Sequence, residues 1–190
     1  MSGPIDVVGS QTVFRGRLLE VVVDHVRLPG GRETTWESVH HPGAAAVIPV
    51  ASDGRVILVR QTRHTVGSRL LEVPAGKLDR DGEEPADCAR RELVEETGYR
   101  CSSLVKLGTM LSSPGFSDER IHLFLATDLT FVGRPEGTDE GDDIEVEWMP
   151  LADAERAVRE GRIEDAKTAL CILLAAGHEA VAAGLNGRPR

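Results

Sequence analysis

The stretch from Gly76 to Tyr99, GKLDRDGEEPADCARRELVEETGY, constrains this chain more than any other. Residues i, i+3 and i+4 of an α-helix share one face. In the run Arg91-Glu92-Leu93-Val94-Glu95-Glu96-Thr97-Gly98 this gathers Glu92, Glu95 and Glu96 into one carboxylate cluster. Like charges on neighbouring turns repel and weaken a helix. Either the cluster is a solvated acidic face, or it serves a hard cation such as Mg²⁺ or Mn²⁺, which takes oxygen ligands. The surrounding residues read as a complete helix. Pro85 suits its first turn, and Asp87 complements the positive end of the helix dipole. Ala86, Ala89 and Leu93 form an apolar stripe for a sheet, and Gly98 is placed for a left-handed cap.

A chain of 190 residues suits one domain with a small extension, and can bury a sizeable core. Its 22 Lys and Arg against 31 Asp and Glu give a net charge of −9, with no basic block. This argues against nucleic acid as a partner. An acidic protein acting on an anionic substrate has to bring cations to its site. Cys88, Cys101 and Cys171 lack metal-ligand spacing and read as buried, reduced thiols. With no charged-then-apolar leader and no apolar run of membrane-spanning length, the expected setting is cytoplasmic, away from membranes.

Residues 1–10 read as loose, Gln11–Arg15 and Leu18–Leu28 as strands, and Pro29-Gly30-Gly31 as a turn into a return strand, Arg32–His40. This antiparallel unit is too small to stand alone. Trp36 reads as packing in preference to stacking on a base. His40 and His41, being adjacent, point to opposite sides of a strand and make a poor ligand pair. Ala44–Val50 and Arg55–Arg60 read as two buried strands of one mixed sheet. Further strands are expected at Leu104–Leu111, Ile121–Ala126 and Ile144–Met149, with an outward loop over Asp128–Gly137. Helices are expected at Leu151–Glu160 and Asp165–Ala176, the second begun by Asp165. The segment Thr138-Asp139-Glu140-Gly141-Asp142-Asp143 reads as an acidic loop.

The Gly76–Tyr99 stretch resembles the Nudix box, G-x5-E-x7-R-E-U-x-E-E-x-G-U with U apolar. Glu83, Arg91, Glu92, Leu93, Glu95, Glu96, Gly98 and Tyr99 all fall in register. Six residues instead of five separate Gly76 from Glu83, an excess that a turn at Asp81-Gly82 can absorb. The Ser113-Pro114-Gly115 turn, with Pro114 sixteen residues beyond Gly98, is similar to a hallmark of the ADP-ribose pyrophosphatase branch.

The resemblance implies an α+β fold, an α/β/α sandwich around a mixed sheet. Residues 1–42 would form an N-terminal antiparallel sheet used for homodimerisation, residues 43–178 the hydrolase domain, and residues 179–190 a disordered tail. It also implies Mg²⁺-dependent hydrolysis of a nucleoside diphosphate sugar, ADP-ribose giving AMP and ribose 5-phosphate, with Mn²⁺ as a possible substitute. Glu92, Glu95, Glu96 and the Ala75 carbonyl would hold two or three ions, and Asp142 would add a ligand. Glu140 would be the base that takes a proton from the attacking water, acting with Glu92 and Glu96. Gly76 would let the backbone present the Ala75 carbonyl, and Glu83 and Arg91 would form an ion pair that aims the glutamates.

Trp36, Arg63, Glu72, Pro114 and Glu119 would line the substrate cleft. For Arg63 the alternatives are a two-pronged grip on phosphate and a surface role. For Glu119 they are a substrate contact and turn chemistry. Two rivals stand beside this reading: hydrolysis of GDP-mannose, ADP-glucose or a dinucleotide, and a nucleotide sensor without catalysis. A sensor is expected to lose box carboxylates or gain a DNA-binding extension. This chain keeps every box glutamate and has no basic helix-turn-helix segment.

Overall fold

The computed structural model describes residues 5–135, 143–179 and 181. They fall into two compact units: Met1–Gly43 with Leu111–Arg120, and Ala44–Met110 with Ile121–Arg190.

The first unit is a three-stranded antiparallel sheet of β1 (Asp6–Arg15), β2 (Glu20–Arg27) and β3 (Glu33–His40), in that order. Residues 6–10, expected to be loose, belong to β1. Cross-strand pairing rescues a segment whose Gly9 and Ser10 give little strand signal: Ser10 Oγ donates to Asp24 at 2.6 Å and Thr12 to Glu20 at 2.7 Å. Val22 and Val26 are the only buried apolar side chains of this sheet among the described residues. Val7, Val13, Phe14 and Trp36 are exposed. Segment 111–120 runs beside β3, where Val39 N–H donates to Phe116 O at 2.7 Å and Asp118 N–H to Val39 O at 3.2 Å.

Among the described residues, the second unit carries two sheets and three helices. Strand β4 (Ala44–Pro49) lies between β7 (Ala75–Lys77), antiparallel to it, and β9 (Arg120–Phe131), parallel to it; β8 (Tyr99–Leu111) follows at the edge. Strand β5 (Arg55–Arg63) lies between β10 (Glu145–Pro150) and β6 (Ser68–Glu72) in an antiparallel sheet. Placing β4 and β5 in one sheet is therefore corrected. Only a single bridge, Val50 to Val56, joins the two runs. Each strand has two edges, and both edges of β4 and of β5 are taken by other partners. The expected outward loop at Asp128 is corrected too, because β9 continues to Phe131.

Alternation along β4 builds a helix–sheet–helix core. Ala45 and Val47 pack with Cys88, Ala89 and Leu93 of α1 (Pro85–Thr97). Ala46 and Ile48 point the other way. They join Ala154 and Ala157 of α2 (Leu151–Arg159) and Cys171, Ile172 and Ala175 of α3 (Ala166–Ala176). Burial of Leu93 alone is worth about 1.5–3 kcal/mol. Asp165 caps α3 by accepting from Thr168 N–H at 2.9 Å, and Thr168 Oγ1 accepts from Val73 N–H at 2.9 Å. That second bond ties α3 to the chain leading into β7. Among the described residues, no helix is long and apolar enough to cross a membrane.

Candidate active site

Ahead of α1, Glu83 N–H turns back to Arg80 O at 3.0 Å, which takes up the additional loop residue. The turn sets Glu83 beside Arg91, whose Nε and Nη2 donate to its two oxygens at 2.8 and 3.0 Å. Arg91 Nη1 donates to Glu95 at 3.0 Å and also to Glu92. The hydrogen bond from Arg91 holds the Glu83 carboxyl below the ordinary carboxylate range, and the same bond raises Arg91 further still. Arg80 reaches the second Glu95 oxygen at 3.2 Å. A side chain charged at every accessible pH thus ties Glu83, just ahead of α1, to Glu92 and Glu95 on one face of the helix.

Glu96 turns inward from the same helix. It is 4% exposed, and its Oε2 accepts from Ala75 N–H at 3.2 Å. Strand β7 lies along β4 with Ala75 opposite Ala46 and Gly76 opposite Ala45. A Cβ on Gly76 would overlap the Glu92 carboxylate, so any other residue would push Glu92 out of its present position. Glu92 and Glu96, one turn apart, therefore both rest against the Ala75–Gly76 backbone.

Three carboxylates, Glu83, Glu92 and Glu95, meet two guanidiniums, Arg91 and Arg80, while Glu96 rests on the Ala75 N–H. Among the described residues no group of three or more His, Cys, Asp or Glu converges into a ready cation cage. Arg91 and the Ala75 N–H hold the oxygens instead. Carboxylate and backbone oxygens are the donors that suit a hard divalent cation. Cys88 lies beneath, its Sγ 3.4 Å from Lys77 O, and burial pushes its thiol up to about 12. It stays protonated and is a poor nucleophile.

A second ionic cluster surrounds Glu72, which is 1% exposed. Arg63 donates to both its oxygens, at 2.7 and 2.8 Å, and Lys167 of α3 to one of them. Lys167 also meets Asp165 at 3.0 Å. Burial alone would raise the Glu72 carboxyl, but the Arg63 hydrogen bonds and the Lys167 charge outweigh it and leave it below the usual range. The guanidinium considered for a phosphate grip thus neutralises a buried carboxylate. Lys167 gave no local signal of this role, because its partner Glu72 is 95 residues away.

Trp36, Pro114 and Glu119 belong to the first unit. Trp36 is 45% exposed on β3, opposite Asp24 of β2. Pro114 lies in the turn closed by Phe116 N–H on Ser113 O at 3.1 Å. Glu119 lies 3.4 Å from His41 Nδ1, and Asp118 accepts from or shares a proton with His40 Nδ1 at 2.6 Å. The adjacent histidines do diverge, one to each acid. Glu140 and Asp142 lie outside the described residues. The next residue, Asp143, is fixed on β5: Thr62 N–H donates to it at 2.5 Å and Thr62 Oγ1 at 3.1 Å. Arg134, which no sequence pattern singled out, donates to the carbonyl of Glu95 at 3.2 Å.

Comparison with known proteins adds an independent line. A NUDIX domain model matches residues 39–169. The chain is 41% identical over 165 residues to an ADP-ribose pyrophosphatase of Bacillus subtilis, spanning 87% of this chain and 89% of that one. It is 43% identical over 158 residues to an ADP-ribose pyrophosphatase of Mycobacterium tuberculosis, spanning 83% and 76%. A solved structure described as an ADP compounds hydrolase matches with a TM-score of 0.82 at 23% identity, over 100% of this chain and 99% of that one. That last likeness concerns the fold.

Proposed function

Since this chain belongs to the NUDIX domain family, whose hydrolases generally depend on divalent metal ions, we propose that it hydrolyses ADP-ribose to AMP and ribose 5-phosphate. The observation that carries the proposal is the run of carboxylates along α1: Glu92 and Glu95 held by Arg91, and Glu96 held with Glu92 against the Ala75–Gly76 backbone. Mg²⁺ is the proposed ion, two or three per site, with Mn²⁺ able to replace it. Once bound, it would offset the charge of the diphosphate and make a water more acidic.

Each residue then has a defined task. Glu92, Glu95, Glu96 and the Ala75 carbonyl hold the cation. Arg91, anchored on Glu83, keeps Glu92 and Glu95 from drifting into solvent. Glu140 takes the proton of the attacking water and Asp142 adds an oxygen ligand; both assignments rest on the resemblance in the box and its following acidic loop. The substrate contacts of Trp36, Arg63, Glu72, Pro114 and Glu119 rest on the same ground. The exposed Val7, Val13, Phe14 and Trp36 of the first unit support a homodimer built through that sheet. Three free cysteines support a reducing, cytoplasmic setting.

Purified protein with Mg²⁺ should be offered ADP-ribose, GDP-mannose and ADP-glucose, and the products separated by chromatography. ADP-ribose should be consumed fastest, with AMP appearing. Faster turnover of GDP-mannose would overturn the substrate assignment, and no turnover of any would overturn hydrolysis.

A further inference from the structure

Beyond β9 the chain passes directly against the C-terminal end of α1. Val132 N–H donates to Gly98 O at 2.8 Å. A Cβ on Gly98, whose φ is +76°, would come within 2.9 Å of the Phe131 ring and 3.1 Å of the backbone at Gly133 and Arg134. The glycine that caps the helix thus also admits a passing segment. The last carbonyls of a helix have no partner within it. Gly98 N–H satisfies Val94 O at 2.9 Å, and the next carbonyl, that of Glu95, accepts from Arg134 Nε. The last turn of α1 has no basic residue of its own. Arg134 therefore brings in, from another segment, the cation that the negative end of the helix dipole favours. Its Nη1 donates at 3.1 Å to the carbonyl of Ile144, the residue before β10.

We propose that Arg134 is a positioning residue for the metal-binding glutamates. One planar guanidinium joins the last turn of α1, which carries Glu95 and Glu96, to the start of β10, and so sets where those carboxylates stand without touching metal or substrate. Lysine lacks the fork needed to span both carbonyls. The inference rests on the cation-binding reading of α1, and its test separates the two.

Arg134→Ala and Arg134→Lys are compared with the unaltered protein in three measurements: thermal melting, Mn²⁺ binding followed by electron paramagnetic resonance without substrate, and ADP-ribose hydrolysis against Mg²⁺ concentration. Both variants should bind Mn²⁺ about 10-fold more weakly. Their kcat should fall while KM for ADP-ribose holds, and added methylguanidinium should restore part of the Arg134→Ala loss. Where Arg134→Ala does not fold, Arg134→Lys carries the comparison. Unchanged Mn²⁺ affinity in a folded variant would overturn the inference. If the unaltered protein binds Mn²⁺ but leaves ADP-ribose intact, the substrate assignment fails and the Mn²⁺ comparison still decides the role of Arg134.

Discussion

Around Glu72, two carboxylates (Glu72 and Asp165) meet two cations (Arg63 and Lys167); around Arg91, three carboxylates (Glu83, Glu92 and Glu95) meet two guanidiniums. Both clusters lie in the second unit and both use an arginine fork on a glutamate. The first is balanced, and its central carboxylate is buried to 1%. It resembles an ion pair that fixes β5, β6 and the start of α3. The second crowds glutamates on one helix face beside solvent, where Glu95 is 25% exposed. A chain selected for stability alone gains nothing from that crowding, because like charges at i, i+3 and i+4 weaken a helix. Full burial marks the cluster that fixes strands and helix; the partly open one, on the function proposed above, takes the cation.

The sharpest way to break this distinction is Glu96→Gln. The amide oxygen still accepts from Ala75 N–H, so melting without metal should not fall. Hydrolysis should drop about 10²–10³-fold, the usual loss when a group aimed at transition-state charge is removed. Equal losses of stability and activity would make the second cluster structural as well.

Lys167→Met should act in the opposite sense. It leaves the buried Glu72 with Arg63 alone and should cost about 3 kcal/mol, the low end for breaking a buried ion pair. For a chain of this size that lowers the melting temperature by roughly 2–4 °C per kcal/mol. The pH dependence follows from the same carboxylate. The folded Glu72 lies below its unfolded value near about 4.3, so its contribution is complete above that pH. It is lost as pH falls through the lower folded value. With Lys167→Met the folded value rises, and acid melting should begin at higher pH. A smaller effect is expected from Asp165→Ala, about 1 kcal/mol for the lost cap of α3.

The same contrast explains what the sequence made legible. The box helix, Pro85 at its start, the left-handed Gly98 and the Asp165 cap are local, and each has a fixed spacing that a reader can test. Partners distant in the chain have no such spacing. Lys167 with Glu72 and Arg134 with Glu95 O are separated by 95 and 39 residues. The division of β4 and β5 between two sheets depends on which strands take their outer edges, which their own apolar runs do not encode. β1 begins at Asp6 for a related reason, since its pairing with β2 and not its composition makes residues 6–10 a strand. Among the site residues, the shared face of Glu92, Glu95 and Glu96 on α1 was readable from helical periodicity. The engagement of Arg63 with Glu72 was not.

Thermal melting with and without Mg²⁺, on the unaltered protein, Glu96→Gln and Lys167→Met, tests the division most directly. A cation that binds only the folded state raises stability by RT ln(1 + [L]/Kd). The unaltered protein should gain a concentration-dependent increment. Lys167→Met should melt lower yet keep that increment, and Glu96→Gln should lose it without melting lower in the absence of metal. An increment that survives Glu96→Gln, or that disappears with Lys167→Met, would contradict the assignment of the cation to the α1 glutamates.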